Sequence, residues 1–316
     1  MEYRKLANGD KMPMIGLGTW EAKPNEVYDA VRHAIAEDYR HIDCALIYQN
    51  EETVGKALKD ALEEGDVDRE DLWITSKLWN NAHKPADIAP AIKKTLDDLN
   101  LNYLDLYLMH WPVACKNDII FPKKGEDFIS LDEIPLSETW EGMQSFKEKG
   151  LAKHLGVCNF SQKKLENLIE NTGITPEVNQ VELHPYLQQN DLVEYAAQND
   201  IIITAYSPLG RGSVPKDSET DHPVLIENDT IIEIAKELDA SPAQVLIRWA
   251  IERNTIAIPK STTPKHITSN LDAAHIKLTG EQMNRIAELD RHHRYVDGSF
   301  WTVDGSPYTM ENLWDE

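Results

Sequence analysis

Asp43 and Tyr48 stand five positions apart in "HIDCALIYQNE" (41–51), just after a short apolar run. An acid and a phenol so placed offer no nucleophile, and no metal-ligand or phosphate-loop spacing surrounds them. Two more ionisable side chains close apolar runs of the same kind, Lys77 in "LWITSK" and His110 in "LDLYLMH". A free tyrosine titrates near ~10, too high for an efficient proton donor at neutrality. A nearby ammonium favours the phenolate and lowers that value. Lys77 can provide the ammonium, and Asp43 can keep Lys77 charged and aimed. His110 can orient a carbonyl oxygen from the other side or help with proton transfer. Such a group protonates an oxygen but holds no nucleophile, so it needs an electron source, namely a bound hydride donor. Tyr206 could stack on a nicotinamide ring, and Asn159 and Gln180 could hold its carboxamide. The backbone of "SPLG" (207–210) could take a pyrophosphate, and Lys260 with Ser261 could meet an adenosine phosphate.

These residues need elements to carry them. Apolar strand-like runs come at 14–19, 39–43, 72–77, 104–110, 154–159, 177–182, 201–207 and 255–261. Amphipathic stretches lie between them, such as 25–37, 86–100 and 241–254. In the first of these, Val27, Ala30, Val31, Ala34 and Ile35 share one helical face. Ser241-Pro242 reads as an N-cap followed by a proline at the first helical position. Eight strand-helix alternations predict a closed (β/α)8 TIM barrel, with an open doubly wound sheet as the rival. Strands two to eight each end in a polar or ionisable residue: Asp43, Lys77, His110, Asn159, Gln180, Tyr206 and Lys260. An open sheet concentrates its ligands at one switch point, whereas this series predicts a ring around one mouth. Asn8-Gly9 predicts a tight N-terminal hairpin. "GLGTWE" (16–21) starts like a dinucleotide fingerprint, but its third position is Glu21. It reads instead as a strand end that lets a ligand approach the backbone. Two long loops, 112–136 and 208–227, are candidate lids or substrate walls. The aromatic tail from about Arg291 is expected to lie over the barrel, the whole chain (1–316) forming one domain.

Composition bounds the partners. The 316 residues carry a net charge of −22, which repels nucleic acid and anionic membranes, so neither is an expected partner. No run of 18 apolar residues or N-terminal apolar leader occurs. The cysteines, Cys44, Cys115 and Cys158, are few and far apart, which predicts a reducing cytoplasm and neither a disulfide framework nor a metal site. Cys44 reads as a small buried filler, and His184 beside Glu182 as a structural histidine.

The segments "GLGTW", "IDCALIYQNE", "SKLW", "LDLYLMHWP", "GVCNF", "NQVELHP", "AYSPLG" and "IPKS" together resemble the aldo-keto reductase family, close to its aldose and aldehyde reductase members. The resemblance implies a barrel, NAD(P)H bound without a Rossmann domain, and hydride delivery to the carbonyl of a small aldehyde or open-chain sugar. It places Asp43, Tyr48, Lys77 and His110 on the family's catalytic four, with Tyr48 as general acid. Cys158, Asn159, Gln180 and Tyr206 fall on nicotinamide-side positions. Ser207, Leu209, Lys260, Ser261 and Asn270 fall on pyrophosphate- and adenosine-side positions. Trp20, Trp79 and Trp111 line the substrate pocket by the same resemblance, and Phe121 in the first long loop is a further candidate. Cys158 stands where the family has Ser, and a thiol is a weaker donor. His266 stands where NADPH-specific members have Arg, which removes a fork suited to a 2′-phosphate and leaves NADH use open beside NADPH. His110 stands where reducers of steroid double bonds carry Glu, which points to carbonyl reduction. A non-catalytic cofactor-binding or structural barrel is the alternative, though such a role would not need all four residues. The oligomeric state is not legible in the sequence.

Overall fold

The computed structural model describes residues 2–211 and 223–316. Strands β1 (Tyr3–Lys5) and β2 (Lys11–Pro13) pair as an antiparallel hairpin. Its loop is longer than a two-residue turn. Leu6 N donates to Asp10 O at 2.9 Å, and Asn8 Oδ1 accepts from Asp10 N at 3.0 Å, so the Asn side chain organises residues 6–10. Leu6 and Met12 then pack with Trp73, Leu106 and Ile256 in the barrel interior, so the hairpin plugs the end opposite the mouth.

Eight parallel strands follow: β3 (Leu17–Gly18), β4 (His41–Asp43), β5 (Trp73–Leu78), β6 (Leu104–Met109), β9 (Ala152–Cys158), β10 (Val178–Glu182), β11 (Ile202–Tyr206) and β12 (Ile256–Ala257). They lie in the order β12-β11-β10-β9-β6-β5-β4-β3. The two ends of that series meet. Gly16 N donates to Ala257 O, Ala257 N to Met14 O, both at 2.9 Å, and Gly18 N to Pro259 O at 3.1 Å. The cylinder is closed, as the strand-helix alternation predicts. Several strands are shorter than their apolar runs. Tyr39 N is spent closing the preceding helix on Ala34 O, and Pro259 has no N–H to give the ladder.

Helices α1 (Pro24–Ala36), α2 (Glu51–Glu64), α3 (Pro85–Leu99), α4 (Leu136–Glu148), α5 (Gln162–Thr172), α6 (Asn190–Gln198), α7 (Asp229–Glu237), α8 (Pro242–Glu252) and α9 (Pro264–Leu271) wrap the sheet. The expected apolar face of α1 is fully buried. Ser241 caps α8 by accepting from Gln244 N, and Gln244 returns a bond to Ser241 N. Helices α10 (Gly280–Ala287) and α11 (Met310–Trp314) follow, and β7 (Ala114–Cys115) pairs with β8 (Phe128–Ile129) inside the first long loop. No helix is long and apolar enough to cross a membrane among the described residues.

Strand alternation divides the core into two layers. Trp73, Leu106, Leu108, Cys158, Val178 and Ile202 fill the barrel interior. Ile74, Leu78, Tyr107 and Met109 face the helices. The glycines of "GLGTW" are closely packed by the barrel. A Cβ on Gly16 would sit 2.7 Å from the His41 ring, and one on Gly18 2.9 Å from Ile258 O. His41 on β4 and Ile258, just after β12, crowd these two positions, which have no room for a side chain.

Candidate active site

Asp43 ends β4, Lys77 lies near the end of β5, and His110 follows β6 directly. These are the C-terminal ends of adjacent strands, so the three side chains share the mouth. Tyr48 reaches them from a single 3-10 turn (Leu46–Tyr48) that is closed by Gln49 in a left-handed conformation. Lys77 Nζ is the hub. It donates to Asp43 Oδ1 at 2.5 Å, to Cys44 O at 2.8 Å and to the Tyr48 hydroxyl at 3.2 Å. Both partners of the ion pair are buried. The other Asp43 oxygen accepts from Gln180 Nε2 at 2.8 Å. The His110 ring lies edge-on to Tyr48, 5.9 Å between centroids.

The remaining rim residues join the same network. Asn159 Nδ2 donates to His110 O at 3.0 Å, and Asn159 Oδ1 accepts from the Tyr206 hydroxyl at 2.8 Å. Thus β6, β9 and β11 are tied across the rim. Cys158 and Cys44 are fully buried, and burial raises both thiols, so neither is a reactive thiolate.

The electrostatics revise one expectation. Burial pushes the Tyr48 phenol above its usual range; Lys77 pulls it down and Asp43 pushes it further up, and the net direction is upward. The phenol is therefore held protonated at neutrality. For Lys77, burial works against the charge, but the Asp43 carboxylate and the Tyr48 and Cys158 groups outweigh it and raise the amine. His110 is held well below the usual imidazole range by burial and by Lys77, so it is neutral. The site pairs a protonated phenol with a fixed cation and a neutral imidazole. That set can give a proton to an oxygen on which negative charge develops.

On the cofactor-candidate side, Ser207 takes a left-handed backbone and its carbonyl accepts from Gly210 N at 2.8 Å, making a tight turn after β11. Leu209 packs against the outer core. Residues 212–222 of the second long loop lie outside the described residues. Lys260 and His266 are exposed, Asn270 is buried, and Ser261 Oγ accepts from Thr263 N at 3.1 Å at the start of α9.

Of the aromatic candidates, Trp79 packs edge-on to His110, 5.1 Å between centroids. Trp301 stands 5.8 Å from Trp79 and 5.7 Å from Trp111. Trp20 and Phe121 are exposed, and no ring contact joins them to this cluster among the described residues. The loop of Phe121 is nevertheless held close, because Trp79 Nε1 donates to Ile120 O at 2.8 Å. Sequence reasoning missed Trp314 and Phe300, which pack on Trp111 at 5.9 and 5.7 Å. Nothing in their local sequence marks them. The tail lies on the first long loop: the Tyr308 hydroxyl accepts from Ala114 N and donates to Ile129 O, both at 2.7 Å. Glu182 roots it, accepting from Tyr295 N and Val296 N at 2.7 and 2.8 Å while its Oε1 also meets His184 Nε2 at 2.7 Å. His184 is thereby part of a tail anchor.

The closed barrel thus carries a buried, hydrogen-bonded Asp–Lys–Tyr group and a neutral histidine at its C-terminal mouth. Residues 14–291 match the aldo/keto reductase family, and the chain belongs to it. It is accordingly an NAD(P)H-dependent oxidoreductase that acts on small carbonyl compounds. An aldo/keto reductase of Synechocystis sp. is 51% identical over 317 residues, covering 100% of this chain and 97% of the relative. The human aldo-keto reductase family 1 member A1 is 44% identical over 302 residues, 95% and 92% of the two chains. A crystal structure of a Bombyx mori aldo-keto reductase in complex with NADP superposes with a TM-score of 0.87 at 36% identity, covering 97% of this chain and 98% of the other.

Proposed function

We propose that the protein reduces an aldehyde, or the open chain of an aldose, to the alcohol, with Tyr48 as the proton donor. The observation that carries this reading is the three-way contact of Lys77 Nζ with Asp43, Cys44 and Tyr48 inside a water-poor wall. The reduced nicotinamide supplies the hydride. As charge builds on the carbonyl oxygen, the Tyr48 hydroxyl gives up its proton, and the Lys77 ammonium stabilises the phenolate left behind. Asp43 keeps Lys77 charged and fixes its direction, and Gln180 fixes Asp43. Neutral His110 orients the carbonyl oxygen from the other side.

The donor set at the rim fits a nicotinamide dinucleotide. Asn159, Gln180 and Tyr206 present amide and aromatic groups beside the relay, with Cys158 at the same strand end. Ser207 and Leu209 offer a tight turn to the pyrophosphate. Lys260, Ser261, His266 and Asn270 offer an exposed cation and polar groups to the adenosine end. NADPH is the expected donor, and NADH is accepted as well, because His266 lacks the guanidinium fork. Comparing kcat/KM with the two tests this; an about thousandfold bias to NADPH would show that His266 has no such effect. Trp79 packs on His110 and joins Trp111 through Trp301, and with Trp20 and Phe121 as exposed candidates at the rim they would give an aromatic lining suited to a small aldehyde. Three free cysteines, all buried, suit the cytoplasm.

A panel of aldoses and of aromatic and aliphatic aldehydes, followed by NADPH absorbance, tests the reading. Wild-type turnover with a loss of at least ~10²-fold in Tyr48→Phe is expected. Equal inactivity of both proteins across the panel would favour a non-catalytic barrel.

A further inference from the structure

Glu51 and Ser76 take no part in the mouth, yet each adjoins a residue that does. Glu51 opens α2, three positions after Tyr48, and Ser76 precedes Lys77 on β5. Ser76 lies between Ile74 and Leu78 on the helix-facing side of the sheet, so it points away from the barrel interior. Both side chains are buried, and Ser76 Oγ donates to Glu51 Oε1 at 2.5 Å. The segment carrying Tyr48 is fixed at three places. At its start, Cys44 N donates to Thr75 O and Cys44 O accepts from Lys77, both at 2.8 Å. At Asn50, the side-chain amide donates to Thr19 O and Ala22 O at 2.9 and 3.0 Å. The third tether is Glu51. A buried carboxylate at that place is destabilising by itself, and an apolar residue would fill the space without the desolvation penalty.

We infer that Glu51 and Ser76 are a positioning pair, which clamps the Tyr48 turn to the Lys77 strand from the outer side of the barrel and so sets the Tyr48–Lys77 separation. The inference rests on the reading of Tyr48 as proton donor.

The clamp has a pH dependence of defined sign. Burial pushes the Glu51 carboxyl up to about 7, with Asp98 adding to the rise and Ser76, Thr95 and Lys77 opposing it. Lys94 on α3, Tyr107 on β6 and Cys44 are the other titratable groups that sense its charge. Above about 7 the Ser76 bond is charge-assisted and stronger; below it, the neutral acid holds Ser76 more weakly. The clamp is therefore tighter, and turnover faster, on the alkaline side. Stability runs the other way. A carboxyl raised from 4.5 contributes stability that is fully present below about 4.5 and lost as pH rises through about 7.

The experiment measures kcat and KM against pH for wild type, Ser76→Ala, Ser76→Thr, Glu51→Gln and Tyr48→Phe. Ser76→Ala should lower kcat roughly tenfold to hundredfold with the KM for NADPH unchanged, and Ser76→Thr should restore most of it. Wild-type kcat should rise through about pH 7, and Glu51→Gln should show no such step while melting higher than wild type at alkaline pH only. A folded Ser76→Ala with the wild-type kcat and pH profile would overturn the inference. If Ser76→Ala does not fold, Glu51→Gln decides: a retained step near pH 7 overturns it, and its loss supports it. An active Tyr48→Phe would sink the proton-donor assignment instead, whatever the other variants do.

Discussion

The Lys77 ammonium makes three hydrogen bonds in a wall that admits almost no water, and Asp43 is the charge that makes this tolerable. Removing one partner of a buried pair leaves the other uncompensated. Lys77→Met should therefore destabilise the protein by about 3–5 kcal/mol in denaturant unfolding, and adding Asp43→Asn should recover part of that loss. Equal destabilisation in the single and double variants would show that the pair is not coupled. The phenol beside it has a different fate from the one its neighbour suggests. Burial outweighs the cation and holds Tyr48 protonated, above its ordinary range. In the reductive direction kcat should then be level from about pH 8 to about pH 9.5, with the alkaline limb beyond. An apparent pKa within that window that vanishes in Lys77→Met would mean that the cation wins after all. His110, held neutral by burial and by Lys77, should add no titration of its own above pH 6 or so.

At the scale of elements, the tail and α5 set the aromatic wall. Lys164 on α5 donates to Asp315 Oδ2 at 2.6 Å and to Asn312 O at 2.7 Å, and Ser161 Oγ also meets Asp315. Asp315 closes α11, which carries Trp314 onto Trp111. Arg294 adds a two-pronged pair with Glu316 and lies over the Trp314 ring. Lys164→Met should loosen this wall by about 1 kcal/mol. The KM of a bulky aromatic aldehyde should then rise roughly fivefold, and that of a short aliphatic one should not. A uniform rise would show that the wall is not what the tether sets. The tail also crosses the first long loop where two backbones touch. A Cβ on Gly125 would fall 2.1 Å from Gly305 C, and Gly125 N donates to Asp304 O at 3.2 Å. Gly125→Ala should displace the tail, which protease nicking after residue 291 would report, with the barrel intact by circular dichroism.

Across the whole molecule, 54 acidic residues face 32 basic ones. A few surface ion pairs are of the i,i+4 kind, such as Lys56–Asp60 and Lys94–Asp98, and pairs of this sort contribute little. Like-charge repulsion is left as the larger surface term. Raising NaCl from about 0.01 M to about 0.2 M shortens the screening length several-fold and should raise the melting temperature. A fall would show that specific pairs outweigh the net charge. If the exposed Lys260 meets the adenosine phosphate as proposed, its attraction for the dinucleotide is subject to the same screening. Lys260→Ala should raise the KM for NADPH more than that for NADH, and steeply less so at high salt.

The sequence alone determined the order of strands and helices, because the apolar period and the turn residues are local properties of the chain. It also placed Asp43, Lys77 and His110 at or within one residue of a strand's end, and hence on one mouth once a barrel is assumed. The charge, the capping of α8 by Ser241 and the anchoring of His184 in a structural role were legible for the same reason. What only the tertiary structure decided depends on burial and on distant neighbours. The direction of the Tyr48 shift is a balance between desolvation and one cation, and the depth of burial is written nowhere in "LIYQNE". The glycines of "GLGTW" face His41 and Ile258, residues brought there by the neighbouring strands on either side. Trp314 and Phe300 reach Trp111 across about two hundred positions of chain, and Ser76 on β5 meets Glu51 at the start of α2. Such contacts come from how elements pack, and packing geometry is a property of the folded whole that no local window of residues contains.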